Sequence, residues 1–336
     1  MEFRKYNSIE NTYQKTVLEQ IIKHEFEKNE YVVQEKVHGA NFAFYTNGIQ
    51  VKIAKRSDFI EENDTFYNAH KVAEKYHTKV KSLFYEVKEL FPNVQFITVF
   101  GELFGGHYNH PEVPTVQGAI KVQKGIDYNP ENDFYAFDIK VDNAHYMNVE
   151  LANKLFEKTG FFYAKTLFKG SLTDCLKYPN DFNSLIPEWL GLPVLETNIV
   201  EGVIIRPVET LFFGNGSRVL LKNKNERWAE RGKNDKPKRE HQEVEFPPEA
   251  QGLWTKIKDY VTVNRMYNVL SKEGEFHPKI FGKLTGWMCQ DVITDFKKDY
   301  PTELDTLEKE HQKAIKKRLN TLIVNTIKEE FMTFKV

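Results

Sequence analysis

Cysteine is nearly absent: Cys175 and Cys289 are the two in 336 residues. A disulfide framework is therefore excluded, and a reducing, intracellular compartment is expected. No apolar run approaches the length of a membrane span, and the opening MEFRKYNSIE carries no apolar signal core, so neither a transmembrane segment nor a secretory signal is expected. In that setting the sequon Asn215-Gly216-Ser217 reads as a turn. Net charge is −1, so there is no global basic field, and any nucleic-acid surface must be a local patch. Two phosphate cradles are also missing, G-x-x-x-x-G-K-[ST] and G-x-G-x-x-G, so a nucleotide handled here needs another device. Paired zinc-type ligands are scarce too. His107 and His110 have no cysteine or third histidine close by and read as a polar loop.

What is present is an ordinary globular composition, 40% apolar and 28% charged with mean hydropathy −0.55, but 14% of residues are aromatic. Short β-branched and aromatic runs fill the first two-thirds: Tyr31 to Val37, Asn41 to Tyr45, Gln50 to Ala54, Gln95 to Phe100, Phe134 to Val141, Ile199 to Arg206 and Arg218 to Lys222. Asn47-Gly48 is a hairpin signal between two of them. Helical patterns span Phe66 to Leu90 and Val149 to Lys158, the second closed by Gly160. Near residue 230 the composition changes. Glu230 to Gln242 is polar and charged, Pro247-Pro248 follows, and the stretch reads as a linker. Beyond it Leu253, Ile257, Tyr260, Val261 and Tyr267 recur at helical spacing, and Pro278 to Phe296 and Glu303 to Phe331 also read as helices. The expected layout is α+β: a mostly antiparallel domain over residues 1–240, then a small all-helical domain over 247–336.

The chemistry-bearing residues follow in order. Glu35-Lys36-Val37-His38-Gly39-Ala40-Asn41 closes a strand and opens a turn. A lysine there is steadied by the sheet yet able to reach a ligand, and its free amine is a nucleophile. Lys55-Arg56, Phe100-Gly101-Glu102 and Phe134-Tyr135-Ala136-Phe137-Asp138 come next, then Val200-Glu201-Gly202-Val203-Ile204-Ile205-Arg206 and Leu220-Leu221-Lys222-Asn223-Lys224. Taken singly these have ordinary readings: Phe137 as a core residue, Glu102 and Glu201 as strand-end carboxylates, Lys222 and Lys224 as a guarded edge. As an ordered set they resemble the nucleotidyltransferase motifs of covalent nucleic-acid ligases and capping enzymes, and in detail those of the RNA ligase 2 family. Lys5-Tyr6-Asn7-Ser8-Ile9-Glu10-Asn11 is similar to that family's N-terminal stretch. Tyr260-Val261-Thr262-Val263-Asn264-Arg265, Phe281-Gly282-Lys283 and Gln290-Asp291 resemble the helical C-terminal domain of its phage members.

The resemblance implies a nucleotidyltransferase (ATP-grasp-like ligase) domain that seals RNA with ATP. Lys36 would carry AMP as a phosphoramidate, with His38, Glu201, Lys222 and Lys224 as the other catalytic residues. Glu35, Asn41, Arg56, Glu102 and Phe137 would bind the nucleotide, Phe137 by stacking on adenine. Glu201 would also help hold Mg²⁺, with Mn²⁺ as a substitute. Lys222 and Lys224 alternate on one strand and so face one side, toward phosphate. The expected partners are RNA ends or nicked duplex, with no membrane and the chain a monomer. Eight Lys/Arg against three Asp/Glu between Lys222 and Arg239 make a candidate phosphate-tracking patch or a solvated linker. Asn264 and Arg265 would either meet an RNA backbone or serve as surface residues. His38 stands where many DNA ligases and capping enzymes carry Asp, which favours the RNA ligase 2 group. Arg206 stands where phage members commonly have Lys, so its role is open. A DNA ligase or capping-type nucleotidyltransferase is one alternative, disfavoured by the helical pattern after residue 250. A non-catalytic nucleic-acid-binding relative is the other.

Overall fold

The computed structural model describes residues 1–228, 248–274 and 280–332. It divides into two compact units. One runs from Met1 to Arg227 and takes in the short stretch that starts at Ser271; the other holds Trp228 to Leu270 and the chain from Phe276 onward. The expected linker Glu230–Gln242 lies outside the described residues, as does the basic patch beyond Trp228.

The first unit is built on ten strands: β1 (Glu10–Asn11), β2 (Tyr31–Glu35), β3 (Ala40–Thr46), β4 (Val51–Lys55), β5 (Ile97–His107), β6 (Asn129–Val141), β7 (His145–Tyr146), β8 (Thr166–Gly170), β9 (Gly202–Pro207) and β10 (Leu221–Lys224). They form two five-stranded sheets, ordered β1-β10-β9-β2-β8 and β4-β3-β5-β6-β7. All pairs are antiparallel except β1 with β10. The fold class is α+β with antiparallel sheets, followed by helices. Every residue of β2 is buried, which is what an uninterrupted Tyr-Val-Val-Gln-Glu string requires of a strand covered on both faces.

Helices cover the outer faces of the sheets. α2 (Ala69–Leu90) and α3 (Val149–Lys158) place Val72, Tyr76, Val80, Leu83, Leu155 and Phe156 on the second sheet, against Phe42, Phe44, Val99 and Phe134. α1 (Lys15–Lys23) and the short α4 (Leu172–Leu176) and α5 (Ile186–Trp189) accompany the first sheet, where Ile21, Leu172 and Cys175 pack on Tyr31, Val33, Val203 and Ile205. α3 spans the expected residues because both ends are signalled. The Asn148 side chain accepts from Glu150 N and Leu151 N, and Gly160 lies just past the C-cap at φ +72°. The Asn215–Ser217 stretch is a turn, with Asn215 Oδ1 accepting from Ser217 N and Oγ.

The second unit packs α6 (Pro248–Ile257), α7 (Val263–Ser271) as far as Leu270, α8 (Phe281–Asp299) and α9 (Lys309–Met332) around Ile257, Met288, Val292, Phe296, Leu319 and Ile323. No described helix is long and apolar enough to cross a membrane. Arg265 corrects the sequence reading: it is buried, with Nη1 on Asp291 and 2.9 Å from Asp295 Oδ2. It pins α7 to α8 and is not a surface cation open to RNA.

Candidate active site

The turn Lys36–Gly39 joins the two sheets, leading from β2 into β3, and a cleft opens beside it. Gln34, Glu35, Ile204, Arg206 and Leu220 line the cleft from one sheet, and Glu102, Tyr135 and Phe137 from the other. About 430 Å³ of empty space lies there, part of it open to solvent.

Lys36 continues the ladder, its N–H donating to Gly202 O at 3.0 Å. Its Nζ lies 2.6 Å from Glu201 Oε2. The same oxygen is 3.5 Å from His38 Nδ1, and Lys224 Nζ meets the other oxygen at 2.7 Å. Burial alone would raise the Glu201 carboxyl, but Lys224, Lys36 and His38 outweigh it and hold it well below the usual carboxylate range. His38 is shifted down by its burial, against the pull of Glu201.

Gly202 makes the close approach possible. Its φ is +147°, and a Cβ there would sit 2.2 Å from Asn223 O on β10. β10 begins later than expected, at Leu221, and places Lys222 opposite Ile204 and Lys224 opposite Gly202. Both lysines are half-buried, whereas Asn223 between them is bonded to Asn180.

On the other sheet Asn41 faces Glu102 across β3 and β5. Burial raises the Glu102 carboxyl to about 8, against Lys36, Arg56 and Lys224. Arg56, just past β4, is held in the same field and is shifted down by its own desolvation, which Glu102 opposes.

Phe137 sits at a β-bulge: Phe100 pairs with Asp138 but Gly101 with Ala136, leaving Phe137 as the extra residue. Its ring faces the cleft on the same side as Tyr135, half-buried and 5.0 Å from the Tyr6 ring, while Phe134 and Ala136 stay in the core beneath α2. The open role of Arg206 resolves here. It is buried, donates from Nη1 to Phe137 O at 3.1 Å, and pairs through Nη2 with Asp138. Asp138 also accepts from Arg218 Nη1 at 2.6 Å and from Tyr6 Oη at 2.5 Å.

The structure thus brings Lys36, His38, Glu201 and Lys224 into one cluster. Glu35 and Phe137 line the cleft beside it, and Glu102 and Arg56 lie in the cluster's field. Glu35 has both carboxylate oxygens engaged, by Ser184 Oγ and Leu185 N. Residues that sequence reasoning missed are Ser184, Tyr128, Gln123, Asp138 and Arg218. None stands in a motif-like spacing except Asp138, which follows Phe137 directly. Among the described residues no three His, Cys, Asp or Glu form a metal-binding group, and His107 instead meets Asp127 at 2.9 Å.

The class of site is a lysine-centred ion cluster beside a cleft between two antiparallel sheets. Residues 29–224 match the family model described as RNA ligase, and residues 244–324 the one described as T4 RNA ligase 2 C-terminal. The chain belongs to the RNA ligase family. It is 32% identical over 210 residues to the mitochondrial RNA-editing ligase 1 of Trypanosoma brucei brucei, covering 53% of this chain and 45% of that protein. To RNA-editing ligase 2 of the same organism it is 27% identical over 230 residues, covering 61% and 55%. The chain therefore spans about half the length of the curated relatives it matches. A solved structure of a Naegleria gruberi RNA ligase mutant with ATP and Mn is similar at 14% identity and TM-score 0.43, covering 68% of this chain and 58% of that one.

Proposed function

We propose that this chain is an ATP-dependent RNA ligase working through a lysyl-AMP intermediate. The observation that carries the proposal is the placement of Lys36 Nζ at the cleft mouth, 2.6 Å from a buried glutamate that Lys224 and His38 also face. Lys36 loses a proton and attacks the α-phosphorus of ATP; an N–P bond forms and pyrophosphate leaves. The 5′-phosphate of an RNA end then displaces Lys36 and takes the AMP. A 3′-hydroxyl attacks that 5′-phosphate, closing the strand and releasing AMP. Nicks in duplex RNA are the substrate we favour, with the chain acting as a monomer.

Each side chain has work consistent with its place. Phe137 stacks on the adenine, Asn41 and Glu102 bind the ribose side, and Arg56 offers its fork to sugar or phosphate. Lys222 and Lys224 neutralise the phosphates, and His38 orients the transferring group. Glu201 fits a divalent ion. Its Oε1 is buried and meets Lys224 without an aligned hydrogen bond, and Glu102 lies in the same field. One or two carboxylates, with phosphate oxygens and water completing the shell, is the usual Mg²⁺ arrangement, and Mn²⁺ would be tolerated. Such an ion supplies charge neutralisation on the phosphates.

The test is incubation with α-labelled ATP and Mg²⁺, denaturation, and a search for label on the chain. Wild type is expected to be labelled and Lys36→Ala not. A folded wild type, free of pre-bound AMP, that takes no label would overturn the proposal and favour a binding-only relative.

A further inference from the structure

Lys36 is gripped on both flanks. On one side Glu35 is 1% exposed; its Oε1 accepts from Ser184 Oγ at 2.5 Å and its Oε2 from Leu185 N at 3.0 Å. On the other side His38 N donates to Tyr128 Oη at 2.9 Å, and Gly39 O accepts from Gln123 Nε2 at 3.1 Å. These two grips are tied to each other. Ser184 N donates to Asn198 O at 2.8 Å, Asn198 Nδ2 donates to Asp127 O at 2.6 Å, and Asn198 Oδ1 accepts from Asp127 N at 2.9 Å. Asp127 is the neighbour of Tyr128. A closed circuit therefore runs from Glu35 through Ser184, Asn198 and Asp127 to Tyr128 and back to His38, with Lys36 between its ends. A buried carboxylate is costly unless its lone pairs are satisfied. Here they are satisfied by two groups that belong to the loop before α5 and not to a ligand.

We infer that Glu35 is a positioning residue, whose carboxylate clamps the Ser184–Leu185 segment to the end of β2 and so fixes the direction in which Lys36 projects. It assigns Ser184 a share in the same task, and removes the Glu35 carboxylate from the groups that bind adenosine. The kinetic consequence rests on the lysyl-AMP reading above; the clamp itself does not.

Two measurements separate these. In the first, the rate of lysyl-AMP formation is followed against ATP concentration for Glu35→Ala, Ser184→Ala, the double variant and Glu35→Gln. The clamp predicts that the single alanine variants lose about tenfold in rate at saturating ATP, the scale of a buried charge-assisted hydrogen bond. The ATP concentration for half-maximal rate should stay near wild type. The double variant should be no slower than Glu35→Ala, and Glu35→Gln, which keeps an acceptor, should recover most of the rate. A half-saturating concentration raised about tenfold in Glu35→Ala with Ser184→Ala unchanged would overturn the clamp in favour of an adenosine contact.

The second measurement is amide hydrogen exchange at Leu185 in the full chain without ATP. Exchange is expected to speed up about tenfold or more when its acceptor is removed. Unchanged exchange in Glu35→Ala, or in Glu35→Met, which keeps the length without an acceptor, if the alanine variant does not fold, overturns the clamp. A wild type that never takes label sinks the ligase reading alone, and the exchange result then still decides the clamp.

Discussion

Asp138 is the residue on which the cleft floor depends. It is fully buried between two guanidinium groups and a phenol. Burial would raise its carboxyl, yet Arg206 and Arg218 hold it below the ordinary value. Asp138→Ala leaves two buried cations without their counter-charge. It is expected to cost about 3–5 kcal/mol, as for other buried pairs with one partner removed, measured by denaturant unfolding. A loss below about 1 kcal/mol would show the network to be slack. Phe137 tests the floor from the ligand side. Phe137→Ala should raise the ATP concentration for half-maximal self-labelling by the roughly 5- to 150-fold that corresponds to about 1–3 kcal/mol of stacking. Unchanged ATP dependence would return that ring to a core role. The Phe was legible as a ring on a strand. That it faces the cleft was not, because alternation gives a strand two faces and only the folded sheet decides which of them packs on the core.

At the scale of elements, the sheets were legible wherever β-branched and aromatic residues ran together, as in β2, β3 and β9. β8 escaped because Thr166–Gly170 is an edge strand with little burial, so its sequence lacks the apolar signal of a covered strand. β5 runs on to His107, past two glycines that read as a loop in isolation. The meeting of β9 and β10 is the element contact that builds the ion cluster. Gly202→Ala would force a Cβ against Asn223 O, at a backbone angle that side chains rarely adopt. It should lower the melting temperature and abolish labelling together, by pushing Glu201 away from Lys224. A variant labelled at wild-type rate would mean that the cluster tolerates a wider spacing.

For the whole molecule, pH and domain organisation are the levers. Glu35 is raised by burial from 4.5 to about 7. The native state therefore holds this proton more tightly than the unfolded chain does. The resulting stability is full below 4.5 and is lost as pH rises through about 7. Unfolding of the ligand-free protein should thus show declining stability from pH 5 to pH 8, with a shallower decline in Glu35→Gln; equal slopes would contradict the raised carboxyl. Glu201 has the opposite sign, its contribution being present above the usual carboxylate range and lost in acid. Every described site residue lies in the first unit. We expect a chain ended at residue 240 to take AMP onto Lys36, though less stable for the loss of the bond from Tyr67 Oη to Gly274 O. No label on that folded fragment would show that the helical unit is needed for the chemistry.

The sequence by itself marked the longer strands and helices, in order, and the side chains that are candidates for the site. Periodicity and turn chemistry are local, and Lys36, Glu102, Glu201, Lys222 and Lys224 stand at strand ends or on short strands that local patterns mark. Only the tertiary structure decided which of them meet. Lys36 and Glu201 are 165 positions apart, and Arg206 and Asp138 are 68, distances over which spacing carries no information. It also decided that Arg206 supports the floor of the cleft, that Arg265 is a buried pin, and that the Glu35 carboxylate is already engaged. A charged residue's partner is chosen by packing and desolvation, and these exist only once the chain has folded.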